Sequence, residues 1–454
     1  MRKFRFLLFA FALLHGSLYA LLMPPWQAPD EVAHFVYARL IVDLGRLPVA
    51  AEAPPELQTD ILASLARHRA WTHRGEAAPE PLPAALNQTT FSYDLILPRF
   101  SLGYFPYALA VWPVRAAAIE TQLMAMRLAS VLMGALVVLV TFAVARLALP
   151  RRPAVAAASA LVVLLLPQHT FINASVNDGN TAALAATLTL YFLVRLAHER
   201  VSWPLVAGAG GWAAFAILCK ATAYFLIPLL VLTGAILIWR RWPAGGSRAA
   251  WRRLAAAAAA LLALGALAVL AAMYLPRLEY LRRMLNLGLR LWGDFDARWA
   301  ALMADGRLLA VLADTVRTFW GTFGWVVVWL PEGWYTLCFA LTGLAVVGLA
   351  IQFWRARRPG RRPGLAPVIL GAAALCAAGV LGAWFLASPD GLSYYQGRYL
   401  FGAIAPLATL LAVGWAALLP ARAQSLVPVL VTVVLAVLDV TALFGGALPY
   451  FYAV

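Results

Sequence analysis

The residues Met1 to Phe35, MRKFRFLLFAFALLHGSLYALLMPPWQAPDEVAHF, decide the architecture. Arg2, Lys3 and Arg5 stand before an apolar run from Phe6 to Met23. A helix crossing a bilayer's hydrocarbon core takes about 20 such residues. A cleaved signal peptide is the rival reading, with Leu18-Tyr19-Ala20 as a weak cleavage site. The length of the run favours a retained first span, and so does the motif after it, which is suited to a membrane surface.

The rest of the 454 residues repeats this pattern. Hydrophobic residues make up 63% and charged residues 12%, with mean hydropathy +0.79. That excludes a set of soluble domains, which could not bury so much apolar surface. Ten further apolar runs fall near 121–144, 154–172, 180–197, 204–219, 221–239, 254–275, 333–353, 365–387, 400–419 and 425–445. The reading is an all-α polytopic membrane protein with about 11 transmembrane helices. Cys219, Cys338 and Cys376 are odd in number and lie in or at the ends of apolar runs, so neither a disulfide framework nor a zinc site is expected.

The position of the charges gives the orientation. Nineteen of the 36 Lys and Arg lie in or beside the short segments 1–5, 145–153, 198–203, 240–253, 354–364 and 420–424, with Glu199 as the one acid there. Eighteen of the 20 acids fall on the other side, and Asp439 alone sits mid-span. This positive-inside pattern places the N-terminus inside and the C-terminus outside. It accounts for the net charge of +16 without nucleic acid. The chain then reads as a single integral membrane domain, 1–454. Its extracytoplasmic side carries a large first loop, 24–120, and a second, 276–332.

The first loop opens Pro24-Pro25-Trp26-Gln27-Ala28-Pro29-Asp30-Glu31-Val32-Ala33-His34-Phe35. Pro29, Asp30 and Glu31 suit the start of a helix, and Gly45 and Pro48 suit its end. Val32, Phe35, Val36 and Leu40 form an apolar stripe, and Asp30 and His34 share a face. An amphipathic helix lying at the outer interface is expected. Asp30 and Glu31 either cap it, or they form with His34 a catalytic group in which a carboxylate serves as general base. Farther on, Gly103-Tyr104-Phe105-Pro106-Tyr107 reads as an aromatic helix start at the membrane surface, or simply as an interfacial aromatic belt. His68 and His73 read as exposed, without ligand spacing.

Other polar groups end spans on the same side. Gln168 and His169, with Asn177 and Asp178, make either a hairpin between spans or part of a site at the depth of Asp30. Lys220 lies between two apolar runs, and Arg398 in Tyr395-Gln396-Gly397-Arg398-Tyr399 just precedes another. Either cation can snorkel or hold a lipid phosphate, for which arginine is the better desolvated partner. In the second loop, Leu278, Leu281, Leu285 and Trp292 mark a further interfacial helix, with Arg282, Asn286 and Arg290 on another face. Thr318-Phe319-Trp320-Gly321-Thr322-Phe323-Gly324-Trp325 suits a re-entrant turn or an acceptor platform.

These pieces, in order, resemble the GT-C superfamily of polytopic glycosyltransferases, and within it an uncharacterised bacterial membrane family. The residues that carry the likeness are Pro29-Asp30-Glu31 with His34, Asn177-Asp178, Lys220, Phe319-Trp320-Gly321 through Gly324-Trp325, and Gln396-Gly397-Arg398-Tyr399. The resemblance implies an inverting transfer of sugar from a polyprenyl-phosphate donor to an acceptor, in the cell envelope outside a bacterial inner membrane. It implies Asp30 as the catalytic carboxylate and Lys220 and Arg398 on the donor phosphate. Gln168, His169, Asn177, Asp178, Tyr395, Gln396 and Tyr399 are the candidate substrate contacts on the same side. The proline pair preceded by His or Lys in protein mannosyltransferases is replaced here by Gly103-Tyr104-Phe105-Pro106. The expected partners are the lipid-linked sugar, membrane lipids, and a glycan, lipid or protein acceptor. No cofactor is legible, and a divalent metal stays open. The competing class is a transporter or flippase of a lipid-linked glycan, which would bury charge at the midplane and show internal repeats.

The orientation is testable. A single cysteine placed at position 30 should react with a membrane-impermeant reagent in intact cells, and one at 357 should not. Labelling at 357 would reverse the topology.

Overall fold

A computed structural model describes residues 2–48, 52–92, 101–241, 252, 295–304, 307–356, 364–387 and 396–453. The run at 254–275, the helix expected around Arg282 and Tyr395 lie outside them.

The described chain is an integral membrane protein made of helices, with one short hairpin. The first helix, α1 (Arg2–Leu22), ends where Pro24 and Pro25 follow. The first loop carries α2 (Glu31–Leu44), α3 (Pro55–Arg67) and α4 (Phe105–Val111). A 30-residue helix, α5 (Ile119–Ala148), then leads to α6 (Pro153–Leu165), α7 (Pro167–Asn173), α8 (Asp178–His198), α9 (Trp203–Cys219) and α10 (Leu226–Arg241). After α11 (Phe295–Met303) and α12 (Arg307–Trp320), strands β1 (Thr322–Phe323) and β2 (Val328–Trp329) pair antiparallel, Thr322 opposite Trp329. The chain continues as α13 (Glu332–Ala356), α14 (Leu365–Ala387), α15 (Ile404–Leu418), α16 (Val427–Val440) and α17 (Leu448–Tyr452).

Among the described residues seven helices are long and apolar enough to cross a membrane, or eight if the bent pair α6–α7 is one span. Trp203–Cys219 and Ala221–Leu237 are shorter apolar helices. The expected count of eleven is therefore not established. Exposed apolar faces such as Val429, Val433 and Val437 suit contact with lipid.

Two expectations need correction. The run 154–172 is not one straight helix: α6 and α7 meet at 61°. Pro167 has no N–H to give the carbonyl of Val163, and it holds Leu166 in extended backbone. Side chains repair the break: His169 Nδ1 lies 3.0 Å from Val163 O, and Thr170 Oγ1 donates to Leu164 O at 3.2 Å. The second correction concerns α2, which does not lie on the surface. Glu31 to Ala38, Leu40 and Ile41 are all buried, in a core shared with α3, α4 and the start of α5. The surface position falls to α4, whose Phe105 and Leu109 are exposed while Tyr107 and Val111 pack inward.

One ion pair joins these parts. Arg127, on α5, is 2% exposed, and Glu31 is fully buried. The guanidinium donates to Glu31 through Nε (2.9 Å) and Nη2 (2.7 Å). It also donates to the carbonyls of Ala20 (3.1 Å), Met23 (2.7 Å) and Pro24 (3.0 Å). Glu31 further accepts from the backbone N–H of Trp26 (3.1 Å) and Val176 (3.2 Å). All five arginine donors and both carboxylate oxygens are thus engaged. The end of α1, the start of α2, α5 and the entry to α8 converge on these two side chains.

Removing one partner strands the other's charge in a dry interior. Arg127→Ala should destabilise the protein by about 3–5 kcal/mol, read as a lowered unfolding midpoint in detergent or nanodiscs. An unchanged midpoint would contradict the anchoring role.

Candidate active site

Asp30 and Glu31 are neighbours with opposite surroundings. Glu31 is held as described. Asp30 stands at the N-cap of α2 in the left-handed region (φ 62°, ψ 10°) and makes no side-chain capping bond. Its side chain is 48% exposed. Trp26, four residues back, is also left-handed (φ 70°). Such backbone costs on the order of 1–3 kcal/mol per residue and is tolerated where neighbours impose it. Here the saturated Glu31 fixes the turn, and Asp30 is left facing outward.

His34, one turn along α2, is buried. Its Nδ1 lies 2.5 Å from the Tyr104 hydroxyl and 4.0 Å from Asp178 Oδ1. Burial is the main influence on this imidazole and pushes its pKa down to about 4, while the charges of Asp178, Lys220, Asp30 and Arg398 all act on it. His34 therefore marks the middle of the site and is neutral at pH 7.

Asn177 caps α8 by accepting the Gly179 N–H at 2.8 Å. Lys220, just past the end of α9, donates to Asn177 Oδ1 (2.7 Å) and Asp178 Oδ1 (2.6 Å). Asp178 is further approached by Ser101 Oγ at 3.3 Å. Gly103 is required beneath it: a Cβ there would come within 2.8 Å of Asp178 Cβ. Lys220 is thus an ion-paired member of the site and not a cation reaching out to solvent. Two of its three N–H groups are taken.

Arg398 arrives from the far end of the sequence, in the 3-10 turn Gly397–Ala403. Gly397 N–H donates to Thr318 Oγ1 at 2.8 Å, and any Cβ at 397 would strike the Phe319 backbone. That close approach fixes Arg398. Its side chain is 10% exposed, with Nη2 3.9 Å from Asp30 Oδ2. Its guanidinium lies 5.3 Å from the Tyr399 ring centroid. Nε and Nη1 have no hydrogen-bond partner among the described residues. Buried guanidinium N–H groups left in this way favour an anion.

The structure brings together Asp30, His34, Asn177, Asp178, Lys220, Arg398 and Tyr399, with Gln396 half-buried at the head of the Arg398 turn. It separates three others. Glu31 has no lone pair to spare. Gln168 accepts the Thr322 N–H at 2.5 Å and pins the β1–β2 hairpin. His169 packs edge-on against Phe401 and serves the Val163 carbonyl. His73 is not exposed as expected but buried against Phe451. Arg127, Ser101 and Tyr104 carry the geometry and were not singled out by sequence reasoning as site residues. For Arg127 the signal was available: an arginine in the third turn of a long apolar helix. Among the described residues no group of three or more His, Cys, Asp or Glu is placed to hold a metal ion.

The fold and the site define a polytopic helical membrane protein with a buried, anion-ready cation paired loosely with a half-exposed carboxylate. Residues 116–275 match the family described as dolichyl-phosphate-mannose-protein mannosyltransferase. The match includes Arg127, Asn177, Asp178 and Lys220, and excludes Asp30 and Arg398. It agrees with the GT-C resemblance read from the sequence. Among solved structures, the chain is similar to ArnT from Cupriavidus metallidurans bound to undecaprenyl phosphate, with 18% identity, TM-score 0.48 and coverage of 99% of this chain and 74% of that one. The apo state of the same protein gives 18% identity, TM-score 0.46 and the same coverage. No curated protein matches the chain by sequence.

The depressed His34 gives a pH prediction. Between pH 6.5 and about 4 the unfolded chain takes up a proton that the folded chain refuses. The contribution of His34 to stability is thus intact above pH 6.5 and is lost as pH falls towards 4. The loss is roughly 3 kcal/mol. Unfolding midpoints followed from pH 7 to 4 should fall more steeply in the wild type than in His34→Gln. Parallel curves would refute the assignment.

Proposed function

We propose that this protein is a GT-C-type glycosyltransferase that moves a sugar from a polyprenyl-phosphate donor to an acceptor on the extracytoplasmic side of a bacterial inner membrane, with inversion. The observation that carries the reading is Arg398: a nine-tenths-buried guanidinium whose Nε and Nη1 have no hydrogen-bond partner among the described residues, and whose Nη2 lies 3.9 Å from the half-exposed carboxylate of Asp30. The family match over 116–275 supports the same class.

In this reading Asp30 takes the proton from an acceptor hydroxyl as its oxygen attacks the anomeric carbon. The bond from that carbon to the phosphate oxygen breaks, and the lipid phosphate leaves with the electron pair. Arg398 donates to the phosphate oxygens, and the remaining N–H of Lys220 joins it. Asp178 and Asn177 hold Lys220 at its post. His34 is neutral, so it orients Tyr104 and does not add a third cation. Tyr399, and the neighbouring Gln396 and Tyr395, border the donor. Gln168 and His169 act from behind, through the hairpin and Phe401. An N-inside, C-outside orientation and the loops 24–120 and 276–332 on the outer side complete the proposal.

A transporter or flippase is the second reading, and one observation favours it: Asp439 is buried in α16 and bonded to His15 of α1 at 2.8 Å. The two readings separate on chemistry. Purified protein incubated with polyprenyl-phosphate sugars should release free polyprenyl phosphate; a transporter releases none. Asp30→Asn should lower turnover about 10²-fold or more with folding kept. Arg398→Ala should raise the Michaelis constant for donor about 10- to 100-fold, and Arg398→Lys should recover only part of it. Wild-type turnover in Asp30→Asn would remove the base, and an unchanged Michaelis constant in Arg398→Ala would remove the phosphate site.

A further inference from the structure

The stretch from Thr318 to Trp325 takes no step in the sugar transfer, yet it touches both sides of the site. Thr318, in the last turn of α12, accepts the Gly397 N–H at 2.8 Å and so seats the turn that carries Arg398. Farther along, Trp325 Nε1 donates to the carbonyl of Trp26 at 3.3 Å. Trp26 opens the turn that presents Asp30. Both contacts come from one element, α12 with its β1–β2 hairpin. The base of that hairpin is fixed. Gln168 accepts the Thr322 N–H, and Tyr335 on α13 donates to Gly321 O at 2.8 Å and accepts the Leu330 N–H at 3.0 Å.

The tip of the hairpin is strained around the indole. Gly324 and Val326, on either side of Trp325, are both left-handed with φ 64°. Glycine takes this backbone freely. A β-branched valine does so only where its surroundings impose it. The indole is also clamped: the Arg74 guanidinium lies 4.0 Å from its ring centroid, and Phe91 meets it edge-on at 5.7 Å. On the other side of the contact, Trp26 is left-handed too (φ 70°). Its N–H goes to Glu31 and its own indole donates to Ser64 Oγ at 2.9 Å. The Trp26 carbonyl is the remaining handle on the turn, and the hairpin holds it.

We infer that Trp325 is a positioning residue: through the Trp26 carbonyl it holds the left-handed turn that presents Asp30, while Thr318 on the same element holds Arg398. The α12–hairpin element therefore gauges the 3.9 Å between Asp30 and Arg398, which come from distant parts of the chain. Arg127 and Glu31 fix where α2 starts, and Trp325 fixes how the turn before it is rotated. The inference rests on the sugar-transfer reading for what Asp30 does, and on geometry alone for where Asp30 stands.

Trp325→Phe tests it, because the ring stays for Arg74 and Phe91 and only the N–H is lost. In the release of free polyprenyl phosphate from polyprenyl-phosphate sugars, kcat should fall roughly 10- to 100-fold, with the Michaelis constant for donor within about twofold of wild type. Thr318→Val acts on the other side of the gauge and should raise that Michaelis constant. A structure of Trp325→Phe in nanodiscs should show the Trp26 carbonyl turned and Asp30 displaced from Arg398, with the Gly397 turn in place. An unchanged kcat in Trp325→Phe, an effect on its donor Michaelis constant alone, or an unmoved Asp30 would each overturn the inference. If the wild type releases no polyprenyl phosphate, the sugar-transfer reading fails, and the structure of the variant still decides the positioning role. Should Trp325→Phe not fold, benzothienylalanine at 325 replaces the N–H by sulfur in a ring of the same shape, with the same outcomes expected.

Discussion

Glu31 and Arg127 form the constraint on which the half of the molecule that holds the candidate site rests. A buried ion pair adds little net stability against an apolar replacement, because desolvation offsets the attraction. Its effect here is on position. The arginine's five donors and the carboxylate's two oxygens are all used, so neither can turn without leaving polar atoms unmet in a dry interior. That saturation sets where α1 ends, how α2 begins and where α8 starts. It also explains why two adjacent acids have different fates, with Glu31 locked and Asp30 left available in left-handed backbone.

The site is assembled from segments far apart in sequence, and backbone proximity does much of the assembly. Gly397 lies against the backbone of α12 and delivers Arg398 to Asp30 across 368 positions of the chain. Gly103 lies against Asp178 and brings Tyr104 under His34. Electrostatics then divides the two cations. Lys220 is compensated by Asp178 and Asn177, whereas Arg398 faces a carboxylate only at 3.9 Å. Arg398, the cation with more donors to spare, is also the one whose planar geometry suits phosphate.

Much of this was legible in the sequence, and the misses have physical causes. Among the described residues the apolar runs located the long helices to within a few residues, the bend at Pro167 apart, because a bilayer demands length and hydrophobicity. Pro29-Asp30-Glu31 and Gly45 located the bounds of α2 through its terminal preferences. Its burial was not legible, since an apolar stripe looks the same whether it meets lipid or protein. Lys220 and Asp178 were read separately because ion pairs across 42 positions leave no periodic trace. Gln168 and His169 were grouped with Asp30 by depth alone, and depth does not say which way a side chain turns.

The bend at Pro167 ties three residues into one unit of sequence change. A proline inside a membrane helix leaves carbonyls that no water can reach, and here His169 and Thr170 take them. The three side chains are therefore epistatic. Restoring an N–H at 167 would release His169 from the Val163 carbonyl, and with it the choice of which ring nitrogen carries hydrogen. Losing His169 while keeping the proline would orphan that carbonyl. Homologous chains should vary at 167, 169 and 170 together, and a chain with a straight helix here has no reason to keep a histidine in its interior.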